Sequence, residues 1–114
     1  MSDSIFEKII KREIPANIVF EDEHIIAFSD ISPQAPVHVL FVPKQKFATL
    51  NDVPDSEALL LGKLMLSAQA YAKSIGIADE GYRVVMNCNR NGGQTVFHIH
   101  MHLLGGAALT GGFA

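Results

Sequence analysis

The segment FHIHMHL, residues 97–103, alternates strictly between apolar residues and histidines. Successive side chains of a β-strand point to opposite faces, so this period of two predicts a strand over residues 95–104. Its apolar side chains are expected to enter a core. His98, His100 and His102 are expected to form a row on the other face, with neighbouring rings about 6.5–7 Å apart. The chain must therefore fold around a sheet that buries at least one face.

The rest of the chain predicts an α+β fold, an antiparallel sheet of about five strands with two helices. Residues 37–43 are apolar apart from His38, which is typical of a central strand. A long helix is predicted from its apolar stripe at helical spacing. The other predicted elements are a helix from Ser4 to about Arg12, ended by Pro15, strands at 18–21, 25–29 and 82–87, and the long helix between Pro54-Asp55 and Gly76.

Chain length, net charge and composition exclude several classes of protein. A chain of 114 residues fits a single domain, 1–114, and its net charge of −3 provides no broad basic surface for nucleic acid. No apolar run approaches the ~20 residues of a membrane helix. The charged N-terminus is unlike a signal peptide, and the single Cys88 cannot form an internal disulfide. We expect a cytoplasmic protein with no membrane or nucleic-acid partner.

Three imidazoles in a row suit two chemistries, surrounding a phosphate or binding a metal. A His-x-His pair on a strand can ligate Zn²⁺, but the single cysteine and the lack of a clear nearby carboxylate leave the ligand set incomplete. The preceding loop, residues 91–95 (NGGQT), contains two glycines whose backbone N–H groups could approach an anion closely. Loop and histidines together favour a phosphate pocket with a nucleophilic imidazole.

Two segments resemble a known family. The sequence GGQTVFHIHMHLLGG resembles the His-x-His-x-His signature of the histidine-triad (HIT) superfamily, and residues 28–44 (FSDISPQAPVHVLFVPK) resemble its upstream nucleotide-binding segment. The similarity covers residues 4–106, leaving a short tail, 107–114. It is strongest to the Hint branch, the purine nucleoside phosphoramidate hydrolases. The resemblance implies a HIT-like fold and a homodimer with one continuous sheet.

The resemblance also implies a reaction. His100 would attack the α-phosphorus of an AMP or GMP conjugate, forming a nucleotidyl-histidine that water then hydrolyses, with no metal or cofactor required. The imidazole must be neutral, and a backbone carbonyl is expected to hold its second nitrogen. The remaining implied roles are phosphate contact for His102, support from His98, a fourth histidine at His38, a hydroxyl from Thr95, ribose contact for Asp30, base contact for Ile31, and phosphate contact for Asn87, Gly93 and Gln94.

Other interpretations stay open at this point. Asp30 would otherwise be expected only to cap the loop at Ser32–Pro36, and His38 to be a satisfied core histidine. The same fold could serve a dinucleoside polyphosphate hydrolase or nucleotidyl transferase, or a non-catalytic zinc- or nucleotide-binding protein. The chain has no tryptophan, which many Hint proteins carry in the tail, so Phe113 is the candidate to replace it near the leaving group.

Overall fold

The computed structural model describes residues 4–112, which form an antiparallel five-stranded sheet with a helix on each face. The strand order is β1-β2-β3-β5-β4, so β3 is central as predicted. This confirms the predicted fold class. The elements are α1 (Ile5–Ile10), β1 (Ile18–Glu21), β2 (Ile25–Ser29), β3 (Val37–Pro43), α2 (Ala58–Ser74), β4 (Tyr82–Val85) and β5 (Met101–Gly105), with 3₁₀ turns at Leu50–Asp52 and Asp55–Glu57.

Helix α1 begins with a capping box. The Glu7 N–H donates to Ser4 Oγ (3.1 Å), and the Ser4 N–H donates to Glu7 Oε1 (2.9 Å), so two donors that the first turn leaves unpaired are satisfied. The helix is shorter than predicted. It ends at Ile10 rather than near Arg12, because Arg12 turns the chain in the left-handed region (φ 63°) before Pro15 is reached.

The last strand is also shorter than predicted. Its ladder begins at Met101, opposite Phe41, and residues 95–100 lie outside it. Strand β3 ends at Pro43, and the Ile99 N–H donates instead to the Phe47 carbonyl (2.8 Å) in the loop beyond. His98 and His100 therefore sit on an extended segment next to the sheet, while His102 is within it.

The two faces of the sheet carry separate cores. One face packs on α2 through buried residues that include Phe41, Leu64 and Leu103. The other packs on α1 through Phe6, Ile9, Ile26, Phe28, Leu40 and Val42. Alternation along β3 places His38 on the same face as Leu40, beneath α1. Within residues 4–112, no helix has the length and apolar character to cross a bilayer.

Candidate active site

Two histidines from distant parts of the sequence meet in the sheet. Antiparallel pairing sets His38 opposite Leu104 and Leu40 opposite His102 on neighbouring strands. Nε2 of His38 then lies 2.9 Å from Nδ1 of His102, a hydrogen-bond distance. His38 is buried, as a core histidine would be, but one of its hydrogen-bond partners is another histidine of the cluster.

His100 is held by the backbone, as predicted. Its Nδ1 lies 2.8 Å from the His98 carbonyl oxygen. A carbonyl only accepts, so Nδ1 carries the proton and Nε2 keeps its lone pair. The Phe6 ring meets the imidazole edge to face, with centroids 4.9 Å apart. His102 lies on the other side at 5.0 Å, closer than strand rise alone predicts. His100 thus has one fixed tautomer and one fixed ring orientation.

Burial keeps these rings neutral. It lowers the pKa of His100 below the ordinary value, against the opposing effects of the His98 carbonyl and Asp30. Burial, reinforced by His100 and His38, lowers the pKa of His102 to about 4. Both imidazoles are therefore uncharged at neutral pH. A neutral His100 with a free Nε2 is the form that can act as a nucleophile.

His98 supports the cluster from behind. It is fully buried, and its Nε2 donates to the Pro43 carbonyl oxygen at 2.7 Å. This bond ties the histidine segment to the end of β3, and the His98 carbonyl in turn holds His100. Burial lowers the pKa of His98 as well. Its position is structural, and it lines neither of the two openings described next.

Two openings meet at His100 and His102. An apolar cavity of about 440 Å³ lies under α1, and a polar recess of about 340 Å³ lies beside it. Both openings are lined by Asp30, Thr95, His100 and His102. The cavity adds mainly aliphatic and aromatic residues, among them Ile5, Phe6, Ile9, Phe28, Ile31, Leu40 and Val96. The recess adds Ser32, Gln34, His38, Asn87 and Gly93. A ligand with an apolar ring and an anionic group matches this pair of openings.

Comparison with known proteins identifies the family that the sequence resembles. The family model described as the HIT domain matches residues 11–109. The chain belongs to the HIT-domain family.

Relatives share most of their length with this HIT-domain chain. A protein of Escherichia coli K12 named purine nucleoside phosphoramidase is 52% identical over 107 residues, covering 94% of this chain and 90% of that protein. Among solved structures, a HIT family hydrolase from Legionella pneumophila Philadelphia 1 superposes with a TM-score of 0.92 at 50% identity, covering 95% and 96% of the two chains. A histidine triad protein from Clostridium difficile gives 0.94 at 40% identity, covering 99% and 98%.

Asp30 caps its loop and also lies beside the histidines. Its Oδ1 accepts a hydrogen bond from the Ser32 N–H (2.8 Å), which caps the loop. Its Oδ2 lies 3.5 Å from His38 Nε2, and the side chain lines both openings. Ile31 follows at the mouth of the apolar cavity and is 90% exposed. The position of both residues is compatible with the roles that the family resemblance implies.

The glycine loop is built differently from the expectation. A Cβ on Gly92 would lie 2.5 Å from the Cys88 carbonyl oxygen, and Gly93 has a φ of +78°, so both positions require glycine. The Gly93 N–H donates to the Arg90 carbonyl, within the loop. Gly93 nevertheless lines the polar recess, and its contact with phosphate stays a prediction. Asn87 Nδ2 donates to the Gly92 carbonyl oxygen (2.7 Å), so its amide helps hold the loop beside the recess.

Gln94 is held by several hydrogen bonds within and beside the loop. Its side chain is buried, with Nε2 donating to the carbonyls of Ala48 (2.7 Å) and Val96 (3.1 Å) and Oε1 accepting from the Asn89 N–H (2.8 Å). Its backbone N–H donates to the Asn89 carbonyl. These bonds show that Gln94 fixes the loop, and its contact with phosphate stays a prediction.

The expectation that no carboxylate lies near the histidines is wrong. Among residues 4–112, one group has the donor set and spacing of a metal site, namely Asp30, His38 and His102, with ligand atoms within 4.8 Å of one another. The sequence indicated the row of His98, His100 and His102 as candidate metal ligands instead. Two further groups of the site were not predicted: the Phe6 ring and the Gln34 N–H, which donates to His38 Nδ1 at 3.1 Å. Neither the packing of α1 over the histidines nor a main-chain donor leaves a sequence motif.

Proposed function

We propose that the protein hydrolyses the P–N bond of purine nucleoside 5′-phosphoramidates and releases the nucleoside monophosphate. The observation that carries the proposal is the proton-free Nε2 of His100 where an apolar cavity meets a polar recess. The base enters the cavity, and the phosphate lies in the recess. The similarity to the E. coli purine nucleoside phosphoramidase supports the choice of substrate.

The reaction proceeds in two displacements at phosphorus. His100 Nε2 donates its lone pair to the α-phosphorus as the bond to the leaving nitrogen breaks, giving a nucleotidyl-histidine. The Thr95 hydroxyl, exposed at the junction of the two openings, donates a proton to the departing amine. Water then attacks phosphorus, returns a proton to Thr95, and displaces neutral His100. The sum is phosphoramidate plus water giving amine plus nucleoside monophosphate.

The His98 carbonyl contributes to the first step. As His100 bonds to phosphorus, positive charge develops on its ring, and the carbonyl oxygen accepts the Nδ1–H bond that carries much of this charge. The acceptor is already oriented, so no reorganisation is needed during the reaction. No step in this scheme requires a metal or cofactor.

The apolar cavity binds the base of the nucleotide. Its walls are dominated by side chains such as Phe6, Ile9 and Phe28, which contact a planar base through packing. Packing alone discriminates weakly between adenine and guanine, so both AMP and GMP conjugates are substrates. Asp30, at the edge of this cavity, accepts hydrogen bonds from the ribose hydroxyls through Oδ2.

We also propose that two copies pair into a homodimer with a continuous sheet. Strand β4 is at an edge of the sheet, and Val84 within it is 37% exposed. Helix α2 adds the exposed side chains of Met65 and Leu66. An unpaired strand edge and an apolar helix surface are features that a symmetric dimer would cover. Sedimentation at micromolar concentration is expected to give the mass of two chains, and a monomer would contradict the pairing.

The test of the proposed reaction compares hydrolysis of adenosine 5′-phosphoramidate by the native protein and His100→Asn, with a chelator present. We expect turnover by the native protein and a loss of about a thousandfold or more in the variant. The matched control is His24→Asn, since His24 is exposed in the β1–β2 turn away from the openings. Retained turnover in His100→Asn, or cleavage of dinucleoside polyphosphates in preference to phosphoramidates, would contradict the proposal.

A further inference from the structure

The tautomer of His38 is set by the main chain of the loop that precedes β3. The Gln34 backbone nitrogen lies 3.1 Å from His38 Nδ1. An amide N–H can only donate, so Nδ1 must be the acceptor and carries no proton. Neutral His38 therefore has its proton on Nε2. The Asp30 Oδ2 atom, 3.5 Å from this Nε2, favours the same arrangement because it attracts a proton there.

The same logic extends to His102. Since His38 Nε2 carries the proton, it donates across 2.9 Å to Nδ1 of His102. That nitrogen must then be unprotonated, and neutral His102 has its proton on Nε2. We propose that the Gln34 N–H and His38 together fix His102 as a neutral Nε2–H donor to the substrate phosphate. His38 is then a positioning residue that acts through His102.

This arrangement gives the two reactive histidines opposite tautomers. His100 has its proton on Nδ1 and a lone pair on Nε2, whereas His102 has a lone pair on Nδ1 and its proton on Nε2. One ring can attack phosphorus while the other donates to a phosphoryl oxygen. The reversed tautomer of His102 would direct a lone pair at the anionic oxygen and repel it. The role of His102 as a donor to phosphate rests on the proposed function, whereas the assignment of its tautomer does not.

The same hydrogen bonds disfavour metal binding at Asp30, His38 and His102. A metal on His38 Nε2 would displace the proton to Nδ1 if the ring stays neutral. Nδ1–H would then face the Gln34 N–H, placing two donors against each other at 3.1 Å. The nitrogens and the carboxylate have suitable spacing for a metal. The surrounding hydrogen bonds, however, favour a hydrogen-bonded pair of histidines.

The experiment measures the tautomer of His102 directly by long-range ¹H–¹⁵N NMR at pH 7. We compare the native protein with His38→Phe, which keeps a ring but has no donor, and His38→Gln, whose amide can donate from a similar position. Native His102 is expected to be protonated at Nε2 alone. His38→Phe should show mixed tautomers and a fall in kcat of about tenfold with a smaller change in KM. His38→Gln should restore most of both properties.

A further variant distinguishes the effect of the Gln34 backbone N–H from that of the Gln34 side chain. Gln34→Ala keeps the N–H and is expected to leave the His102 tautomer unchanged. Native His102 protonated at Nδ1, or a native-like tautomer in His38→Phe, would overturn the proposal. The NMR result needs no substrate, so it distinguishes the two proposals. A protein with the expected tautomer that cannot cleave phosphoramidates would refute the proposed function and leave the tautomer assignment standing.

Discussion

Replacing Phe6 with leucine tests whether α1 holds the nucleophile in place. The Phe6 side chain is 5% exposed, and its ring packs edge to face on Phe28, His98 and His100 at centroid distances of 5.5, 6.1 and 4.9 Å. Leucine preserves apolar burial but loses these ring contacts, each worth about 0.5–1.5 kcal/mol. Because neighbouring contacts are not additive, we expect a loss of about 2 kcal/mol in the free energy of unfolding. That corresponds to a fall of about 8 °C in Tm.

The kinetic effect is the more specific result. Without the Phe6 ring, His100 gains rotational freedom and water, so we expect kcat/KM for adenosine 5′-phosphoramidate to fall about tenfold. The lowered pKa of His100, caused chiefly by burial, should move up towards its ordinary value. Its acid limb in the pH–kcat/KM profile should therefore shift to higher pH.

The matched control makes the same substitution on the other face of the sheet. Phe20 is half-buried against the α2 core and pairs with Phe41 at 6.5 Å. Phe20→Leu should lower Tm while leaving the acid limb and kcat/KM close to native. If Phe6→Leu behaves like this control, changing Tm but neither kinetic property, then α1 does not orient His100 and the reasoning is refuted.

Three further predictions concern stability. Burial lowers the pKa values of His98, His100 and His102, so below pH 6.5 the unfolded chain binds more protons than the folded one. The free energy of unfolding should therefore fall from pH 7 to pH 5 in urea titrations, and a rise would contradict the neutral cluster. Gly92→Ala should lower Tm and raise KM, because its Cβ would meet the Cys88 carbonyl. Gly62→Ala in α2, with open space around the Cβ, should instead stabilise by about 0.5–1 kcal/mol.

Regular elements with local signals were predictable from the sequence. The three strands β1, β2 and β3 have the predicted bounds because turn residues separate short β-rich runs. The last strand was predicted to be longer than it is. Alternation is a local property of the sequence, whereas the length of a strand in a sheet depends on the neighbouring strand. Strand β3 stops at Pro43, and residues before Met101 pair elsewhere.

The site was predictable where side-chain type determines chemistry. The alternating histidines indicated the cluster, and the family resemblance added Asp30 and His38. The loop contacts of Gln94 were not predictable, because its amide could serve either phosphate or the loop, and only the folded chain brings it to the carbonyls of Ala48 and Val96. The Gln34 donor belongs to the main chain, so no residue type reveals it. The predicted role of Phe113 lies outside the described residues.

The most direct test of the central claim is to trap the covalent intermediate. Rapid quenching of the native protein with adenosine 5′-phosphoramidate, followed by peptide mass spectrometry and ³¹P NMR, locates the phosphorus. Because the His98 carbonyl occupies Nδ1 of His100, the account predicts adenylyl attached to Nε2 of His100. Attachment at Nδ1 or on another residue, or rapid turnover with no covalent nucleotide at any quench time, would contradict it.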